Sequence, residues 1–327
     1  MSRSSRDIGT HLVDPETSRQ GDGASPAISP DTIDPREPVG SVEARSLWRM
    51  AARRFRKHKM AMISLVVLIM VVLLAFVGGA LWHYKYNVYS NDLSFKPSLK
   101  HPFGTDSTGY DTFSEVLRGT QRSLEIAFSV AVLATLLGTI WGAVAGYYRG
   151  WLDTLMMRIA DLFLTIPILA AGALLSHHFQ SAGWWALALV IAGLAWPAVA
   201  RIVRGQTLSL REKEYVEAGR SMGAKDGRII FRHILPNVVG QIIVVVTIQI
   251  AFAILLESSL SYLGFGVQPP DTSLGTLIST AQTALQGGQW WLFYFPGIMI
   301  ILISLSVNFI GDGLRDAFDP SQQRVRA

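Results

Sequence analysis

The chain has 327 residues, of which half are hydrophobic and 16% are charged, and its mean hydropathy is +0.33. A soluble domain normally carries about a quarter charged residues, so this composition excludes a large soluble core and favours a membrane protein. The absence of cysteine excludes disulfides, thiolate metal sites and a cysteine nucleophile, while the net charge of +5 fits basic residues flanking apolar runs rather than nucleic-acid binding.

Residues 1–45 are rich in Ser, Pro, Asp and Gly and have no hydrophobic period, so we expect a disordered cytoplasmic leader. No cleavable signal peptide is evident, because the first apolar run starts only near Met60. The first span is predicted over residues 60–82. A cluster of five basic residues at 53–59 precedes it and predicts a cytoplasmic N-terminus under the positive-inside rule.

Five further spans follow a polar outer segment, residues 83–122, whose second half is expected to be an amphipathic helix. They cover about residues 123–147, 155–176, 184–203, 238–256 and 290–310. The third span carries Arg158 and Asp161 in its first turns, either at the interface or paired inside the bundle, and Pro167 is expected to kink it. The sequence therefore predicts an all-α membrane protein with six transmembrane helices and with both termini in the cytoplasm.

The segment between spans four and five, residues 214–237, reads EYVEAGRSMGAKDGRIIFRHILPN. Residues 209–222 are predicted to form a short amphipathic helix, with Gly223 at a C-terminal cap that needs a positive φ. A second helical stretch is expected over residues 224–234, and Pro236 is expected to mark the start of span five.

A solvated loop that only joins two spans is the alternative interpretation of this segment. Such a loop needs only a few residues, and it does not need the small residues Ala218, Gly219 and Gly223 on a helix surface. Tyr215, Ala218 and Met222 are expected to share one face of the helix. Small residues on that surface indicate that another protein approaches closely.

The segment resembles the coupling motif of ABC importer permeases, in which Glu-Ala-Ala is followed after three residues by Gly and after nine more by Ile, any residue, Leu-Pro. The residues at matching spacing are Glu217, Ala218, Gly223, Leu235 and Pro236. The chain departs from the motif at Gly219, where Ala is usual, and at His233, where Ile is usual. Gly219 keeps the surface small but lowers helix propensity by about 1 kcal/mol.

Three other stretches, and the ending RHILPN, are similar to the dipeptide/oligopeptide/nickel branch of these permeases. The stretches are residues 101–124 (HPFGTDSTGYDTFSEVLRGTQRSL), 257–275 (ESSLSYLGFGVQPPDTSLG) and 311–320 (GDGLRDAFDP). The likeness covers about residues 46–320 and is greatest to the C-type subunit, which normally pairs with a homologous B-type permease. It implies a type I ABC importer permease in the bacterial cell membrane.

The expected organisation has four parts. It comprises the leader (1–45), the first transmembrane helix with the extracytoplasmic segment (46–122), a five-helix permease core with cytoplasmic coupling helices at 209–236 (123–320), and a C-terminal tail (321–327). The resemblance implies that the coupling helix carries the ATPase-docking residues Glu214, Glu217, Ala218, Gly219, Arg220, Gly223 and Ala224.

The sequence contains no GxxxxGK[ST] phosphate loop, so ATP and Mg are expected on a partner ATPase, with no cofactor and no catalytic residue in this chain. The resemblance implies a B-type permease, two cytoplasmic ATPase subunits and an extracytoplasmic solute-binding protein as partners, besides membrane lipid and without nucleic acid. It implies transport of peptides, and nickel or another small solute is the alternative.

Glu257 is expected to close span five, where a carboxylate near lipid faces the bundle interior and serves either as a gate or as a structural hydrogen-bonding group. His177 and His178 lie in a short outer loop without a carboxylate, so they are interpreted as interfacial, and no metal site is predicted. Two other classes are weighed. An ion-coupled secondary transporter would have inverted repeats and broken helices, and a structural scaffold would leave the coupling motif unexplained.

Overall fold

The structure, a computed structural model, describes residues 47–318, apart from the side chains of residues 47 and 48. The predicted leader and the predicted C-terminal tail lie outside the described residues. Within them the chain forms ten helices: α1 (Leu47–Lys57), α2 (Lys59–Leu81), α3 (Thr112–Tyr148), α4 (Gly150–Thr165), α5 (Ile168–His178), α6 (Trp184–Arg211), α7 (Glu214–Ser221), α8 (Asp226–Tyr262), α9 (Leu274–Gln286) and α10 (Trp291–Phe318). The predicted all-α class is confirmed.

Five of these helices, α2, α3, α6, α8 and α10, are each long and apolar enough to cross a membrane. The helices α4 and α5 reach that length only as a pair bent by 85°. Pro167 therefore breaks the third predicted span instead of kinking it. The residue before a proline avoids the helical region, and both Ile166 (ψ 127°) and Pro167 (ψ 109°) are extended.

The predicted amphipathic helix before span two and span two itself are one helix. With 37 residues, α3 is about 56 Å long, whereas the hydrocarbon core of a bilayer is about 30 Å thick. The helix therefore projects from the membrane, and it crosses the boundary predicted at residues 122 and 123. The sequence analysis also missed helix α9. It lies in the predicted loop 257–289 and begins after its N-cap residue, Ser273.

The start of α3 is fixed by Asp111. Its Oδ2 accepts the backbone N–H of Ser114 at 2.9 Å and the indole N–H of Trp82 at 2.9 Å. The buried ring of His101 places Nδ1 2.8 Å from the other carboxylate oxygen. One carboxylate thus joins the end of α2, the outer segment and the first turn of α3.

Helices α3 and α6 pack backbone to backbone through Gly138, Gly142 and Gly146, which lie at successive four-residue steps. An ideal Cβ on Gly138 would come within 2.7 Å of the Trp196 carbonyl oxygen. An ideal Cβ on Gly142 would lie 2.9 Å from the Arg204 backbone nitrogen and closer still to the carbonyl oxygen of Ala200. Small residues permit this approach in lipid, where van der Waals packing drives association.

Helix α4 is held against α6 by ion pairs. The Arg204 guanidinium donates to both oxygens of Asp153, with Nε–Oδ1 at 2.5 Å and Nη2–Oδ2 at 2.7 Å. One helical turn away, Arg201 pairs with Asp161. Of the two positions considered for Asp161, the interface and the bundle interior, the structure places it in a pair with α6.

Glu257 lies within α8, which continues to Tyr262, so it does not close the fifth span as predicted. The side chain is 0% exposed, and its carboxylate accepts the hydroxyls of Ser123 at 2.9 Å and Ser261 at 2.6 Å. The Ser123 oxygen also accepts the backbone N–H of Leu274 at 3.3 Å. The carboxylate therefore ties together α3, α8 and the start of α9.

The α3–α6 contact predicts opposite effects for two glycine-to-alanine changes. Alanine normally stabilises a helix interior by about 1 kcal/mol relative to glycine. Gly142→Ala should nevertheless lower the thermal unfolding midpoint of the purified chain in detergent, because overpacking costs about 1–3 kcal/mol. Gly193→Ala in α6 is the matched control, since its Cβ meets nothing within 4 Å, and it should leave the midpoint unchanged or raise it. Equal shifts would contradict the proposed backbone contact.

The Glu257 network predicts a graded response. Glu257→Gln keeps an acceptor for a serine hydroxyl and should cost little stability. Glu257→Leu removes the acceptor for the buried O–H groups of Ser123 and Ser261, at about 1–3 kcal/mol for each group, and should lower the unfolding midpoint clearly. The same melting experiment tests both variants, and identical midpoints for Gln and Leu would show that the network contributes nothing.

Candidate functional site

Helix α7 lies at the end of the bundle where α3 and α6 finish and α8 begins. Its apolar anchor is Val216, which is fully buried in a cluster with Val203 of α6 and Ile229, Ile230 and Ile234 of α8. A short helix of eight residues is marginal by itself. Its position therefore depends on this tertiary packing.

Tyr147, in the last turn of α3, contacts α7 and also the end of α6 and the start of α8. The guanidinium of Arg220 lies 5.0 Å from its ring centroid and that of Arg211 lies 5.7 Å away, distances typical of cation–π contacts. Its hydroxyl donates to Asp226 Oδ1 at 2.7 Å. Sequence reasoning missed Tyr147, because its partners lie more than sixty residues away and nothing in the helical period distinguishes it.

The predicted cap at Gly223 is confirmed. Gly223 has a φ of +78°, and its N–H donates to the Arg220 carbonyl at 2.8 Å. The N–H of Ala224 reaches the Gly219 carbonyl at 3.1 Å. These two bonds form a Schellman motif, which ends α7 and reverses the chain.

The bounds of the predicted coupling helix, 209–222, are wrong at the N-terminal side. Ser209 belongs to α6, and α7 begins only after Lys213, whose backbone is extended (φ −81°, ψ 142°). The side chains at the break bind elsewhere: Arg211 Nη1 donates to the Tyr147 carbonyl at 2.5 Å, and Glu212 pairs with Arg149. These contacts to α3 and its following turn bend the chain at this point.

The second predicted helical stretch, residues 224–234, also has other bounds in the structure. Helix α8 starts at Asp226 and runs through a π-helical turn, Ile230–Ile234, directly into the fifth span. Pro236 lies inside this continuous helix, among the first positions after the π-helical turn, so no new helix starts there. Proline has no N–H to donate, and the wider π-helical turn tolerates this. The Asn237 side chain donates to the His233 carbonyl at 2.6 Å.

Most of the seven predicted docking residues are open to the surroundings. Exposed are Glu214, Glu217, Ala218, Arg220 and Gly223, and Ala224 is partly exposed. Gly219 lies on the buried side of α7, although a Cβ there would meet nothing within 4 Å, so glycine and alanine both fit. Two large side chains extend the outward surface, Tyr215 and Met222, the latter 82% exposed. Partial burial raises the pKa of the Tyr215 hydroxyl, which keeps it neutral.

The other two features singled out in the sequence lie away from α7. Glu257 is separated from Leu235, near the start of α8, by about 33 Å of helix. His177 lies in the last turn of α5, which ends at His178, and not in the predicted outer loop; its ring packs edge to face with Phe265, with ring centroids 6.1 Å apart. Among residues 47–318, no group of three or more His, Asp or Glu side chains is placed to hold a metal ion.

Comparison with known proteins gives two family matches. Residues 138–324 match the binding-protein-dependent transport system inner membrane component family, and residues 46–102 match the N-terminal TM domain of oligopeptide transport permease C. In fold, the chain is similar to the inward-facing MetNI methionine ABC transporter, with a TM-score of 0.52 at 18% identity, over 62% of this chain and 96% of that chain.

Curated relatives cover most of the chain. The oligopeptide transport system permease protein OppC of Mycobacterium tuberculosis is 40% identical over 279 residues, which are 85% of this chain and 96% of that protein. OppC of Bacillus subtilis is 39% identical over 285 residues, covering 87% and 93%. A putative peptide transport system permease protein of Brucella abortus is 44% identical over 276 residues, covering 83% and 91%.

The match over residues 138–324 spans more than half of the chain and includes α7, the Gly223 turn and the helices that hold them. With relatives aligned over more than four fifths of its length, the chain belongs to the binding-protein-dependent transport system inner membrane components, the multi-pass permease subunits of ABC importers.

Proposed function

We propose that this chain is one permease of a bacterial peptide importer and that α7 couples it to a cytoplasmic ATPase subunit. The observation that carries the proposal is the construction of α7: its outer surface is exposed, while its inner side is fixed to the ends of α3, α6 and α8. A helix held in this way can receive a force from outside and pass it to the spans. The names of the relatives support a peptide as the cargo.

The orientation follows from charge and packing. The chain between residues 149 and 232 holds ten Lys and Arg residues, nine of them outside the predicted third span, and this excess favours the cytoplasmic side for α7. The two ends of the described chain lie at this same end of the bundle: His58 is 3.6 Å from Asp316, and Phe318 packs where a Cβ on Gly240 would be. Charge and packing therefore support the proposal that both ends of the described chain face the cytoplasm.

In the proposed mechanism, a second, homologous permease completes the translocation path, and each permease presents one coupling helix to one of two ATPases. ATP and Mg are held by the ATPases. Their closure moves α7, and Tyr147 and Asp226 carry that movement into α3 and α8 as a rigid-body transition. An extracytoplasmic binding protein delivers the substrate, and nickel or another small solute is the alternative cargo.

One observation favours a second class. The 85° break between α4 and α5 is a feature of secondary transporters. An ion-coupled transporter, however, has no use for an exposed helix clamped to three spans. Uptake by the reconstituted complex that requires ATP and persists after an ionophore dissipates the ion gradient supports the importer; ATP-independent uptake supports the secondary transporter.

Glu217→Arg tests the docking surface. Reversing a charge at a protein interface costs about 2–5 kcal/mol, so we expect at least a roughly tenfold loss of ATP-driven peptide uptake together with weaker copurification of the ATPase. Asp312→Arg is the control, because it makes the same charge change at an exposed position near the end of α10. Wild-type uptake with normal copurification in Glu217→Arg would overturn the assignment.

Substitutions of Tyr147 separate docking from transmission. Tyr147→Ala removes the ring between Arg220 and Arg211, so we expect the ATPase still to copurify while peptide uptake falls severalfold. Tyr147→Phe keeps the ring and loses only the hydrogen bond to Asp226, so most uptake should remain. If Ala and Phe transport equally well, the ring does not transmit the movement of α7.

A further inference from the structure

A cavity of about 820 Å³ lies at the end of the bundle away from α7, between the outer segment, the loop 269–272 and α9. Its size is within the range of about 300–1,000 Å³ found for small-ligand pockets. Three carboxylates line it, Asp106, Glu115 and Asp271, and none of its lining residues is Lys, Arg or His. The lining is therefore acidic and has no basic side chain of its own.

Two of the three carboxylates are already satisfied. Asp271 binds Arg118 at 2.9 Å and Arg122 at 2.5 Å. Asp106 Oδ1 accepts the backbone N–H groups of Thr108 at 2.9 Å and Tyr110 at 2.7 Å, and so shapes its own loop.

Glu115 differs from Asp271 and Asp106 in its lack of such partners. Within residues 47–318 no group donates a hydrogen bond to its carboxyl group or pairs with it. Burial in the first place, and then the carboxylates of Asp106 and Asp111, raise the pKa of Glu115 to about 8, so a cation beside it would stabilise the charged form. An acidic residue in the first turn of a helix can serve the helix dipole. Here Asp111 already caps α3, and a dipole role does not require a place in a cavity with other carboxylates.

A second observation points to a ligand with hydrogen-bond donors. Thr112 is 2% exposed, and its Oγ1 has no hydrogen-bond partner in the described part of the chain; the same holds for the buried Oε1 of Gln289. Both residues line the cavity. Buried polar groups in proteins are nearly always paired, so two unpaired oxygens and an unpaired carboxylate around one cavity are a set of acceptors.

We propose that this cavity binds the α-ammonium group of a peptide, with Glu115 as its counter-charge and the Thr112 and Gln289 oxygens as further acceptors. An ammonium group supplies three donors and a positive charge, which the lining lacks. The hydroxyls of Thr276 and Thr280, on the α9 wall, donate to the backbone carbonyls of Val267 and Leu277 and can still accept an N–H group of the peptide backbone. The inference rests on the proposed function, since it takes the cargo to be a peptide.

The test is equilibrium binding to the full chain in lipid nanodiscs, measured by calorimetry with trialanine, N-acetyl-trialanine and N-acetyl-Ala-Lys-Ala. Trialanine should bind at least about tenfold more tightly than either acetylated peptide. Glu115→Gln should abolish that preference, because it removes the counter-charge. Glu125→Gln is the control: it changes the same residue type in the same helix, but Glu125 pairs with Arg122 and does not line the cavity.

Thr112→Val provides a second variant whose folding is not in question. It removes a hydroxyl that bonds to nothing in the described chain, so the unfolding midpoint should not fall while trialanine binding weakens about threefold. Equal binding of free and acetylated trialanine by the wild-type chain, or unchanged binding by Glu115→Gln, would overturn the inference. So would tight binding of N-acetyl-Ala-Lys-Ala, which would assign the site to a side-chain ammonium.

Failure of this inference and failure of the proposed function give different results. If only the inference fails, the reconstituted wild-type complex still shows ATP-driven peptide uptake, and Glu115→Gln leaves both uptake and binding unchanged. If the proposed function fails, the wild-type complex shows no ATP-driven uptake of any of the three peptides.

Discussion

The backbone contact between α3 and α6 is the constraint on which the other features depend. Because Gly138, Gly142 and Gly146 have no side chain, the two helices lie close enough for their backbones to touch. That spacing brings Arg204 of α6 within reach of Asp153, which fixes α4, and leaves Tyr147 at the end of α3 beside α7. A single added methyl group in this contact would displace partners on both sides of it.

Helix α3 also connects the two candidate sites. Its first turn carries Thr112 and Glu115, which line the cavity, and its last turn carries Tyr147, which holds the coupling helix. The helix has 37 residues and is packed rigidly along its middle, so a displacement at one end has a direct physical route to the other. Under the proposed function and the proposed cavity ligand, one helix carries both the substrate contact and a contact to the docking helix.

Two charged groups of the bundle, Glu257 and Arg204, have partners on other helices. The carboxylate of Glu257 is met by serine hydroxyls from α3 and α8, and the guanidinium of Arg204 by Asp153 of α4. In lipid no water replaces such a partner, so each of these pairs joins helices as well as satisfying its own atoms. Glu115 is the contrasting case, because its carboxylate lacks such a partner in residues 47–318 and instead borders a cavity.

The sequence by itself determined the features that local chemistry controls. Apolar runs predicted the single spans, the positive φ required at Gly223 predicted the turn, and the motif around Glu217 predicted the family. Only the tertiary structure decided the full break at Pro167, the continuity of α8 through Pro236, the hidden helix α9 and the partners of Glu257. The Glu257 network depends on side chains that meet across more than a hundred residues, as Ser123 and Glu257 do, and a local pattern carries no record of such contacts. A proline by itself is compatible with a kink, a break or a continuous helix with a wider turn, so the sequence alone could not decide between them at Pro167 and Pro236.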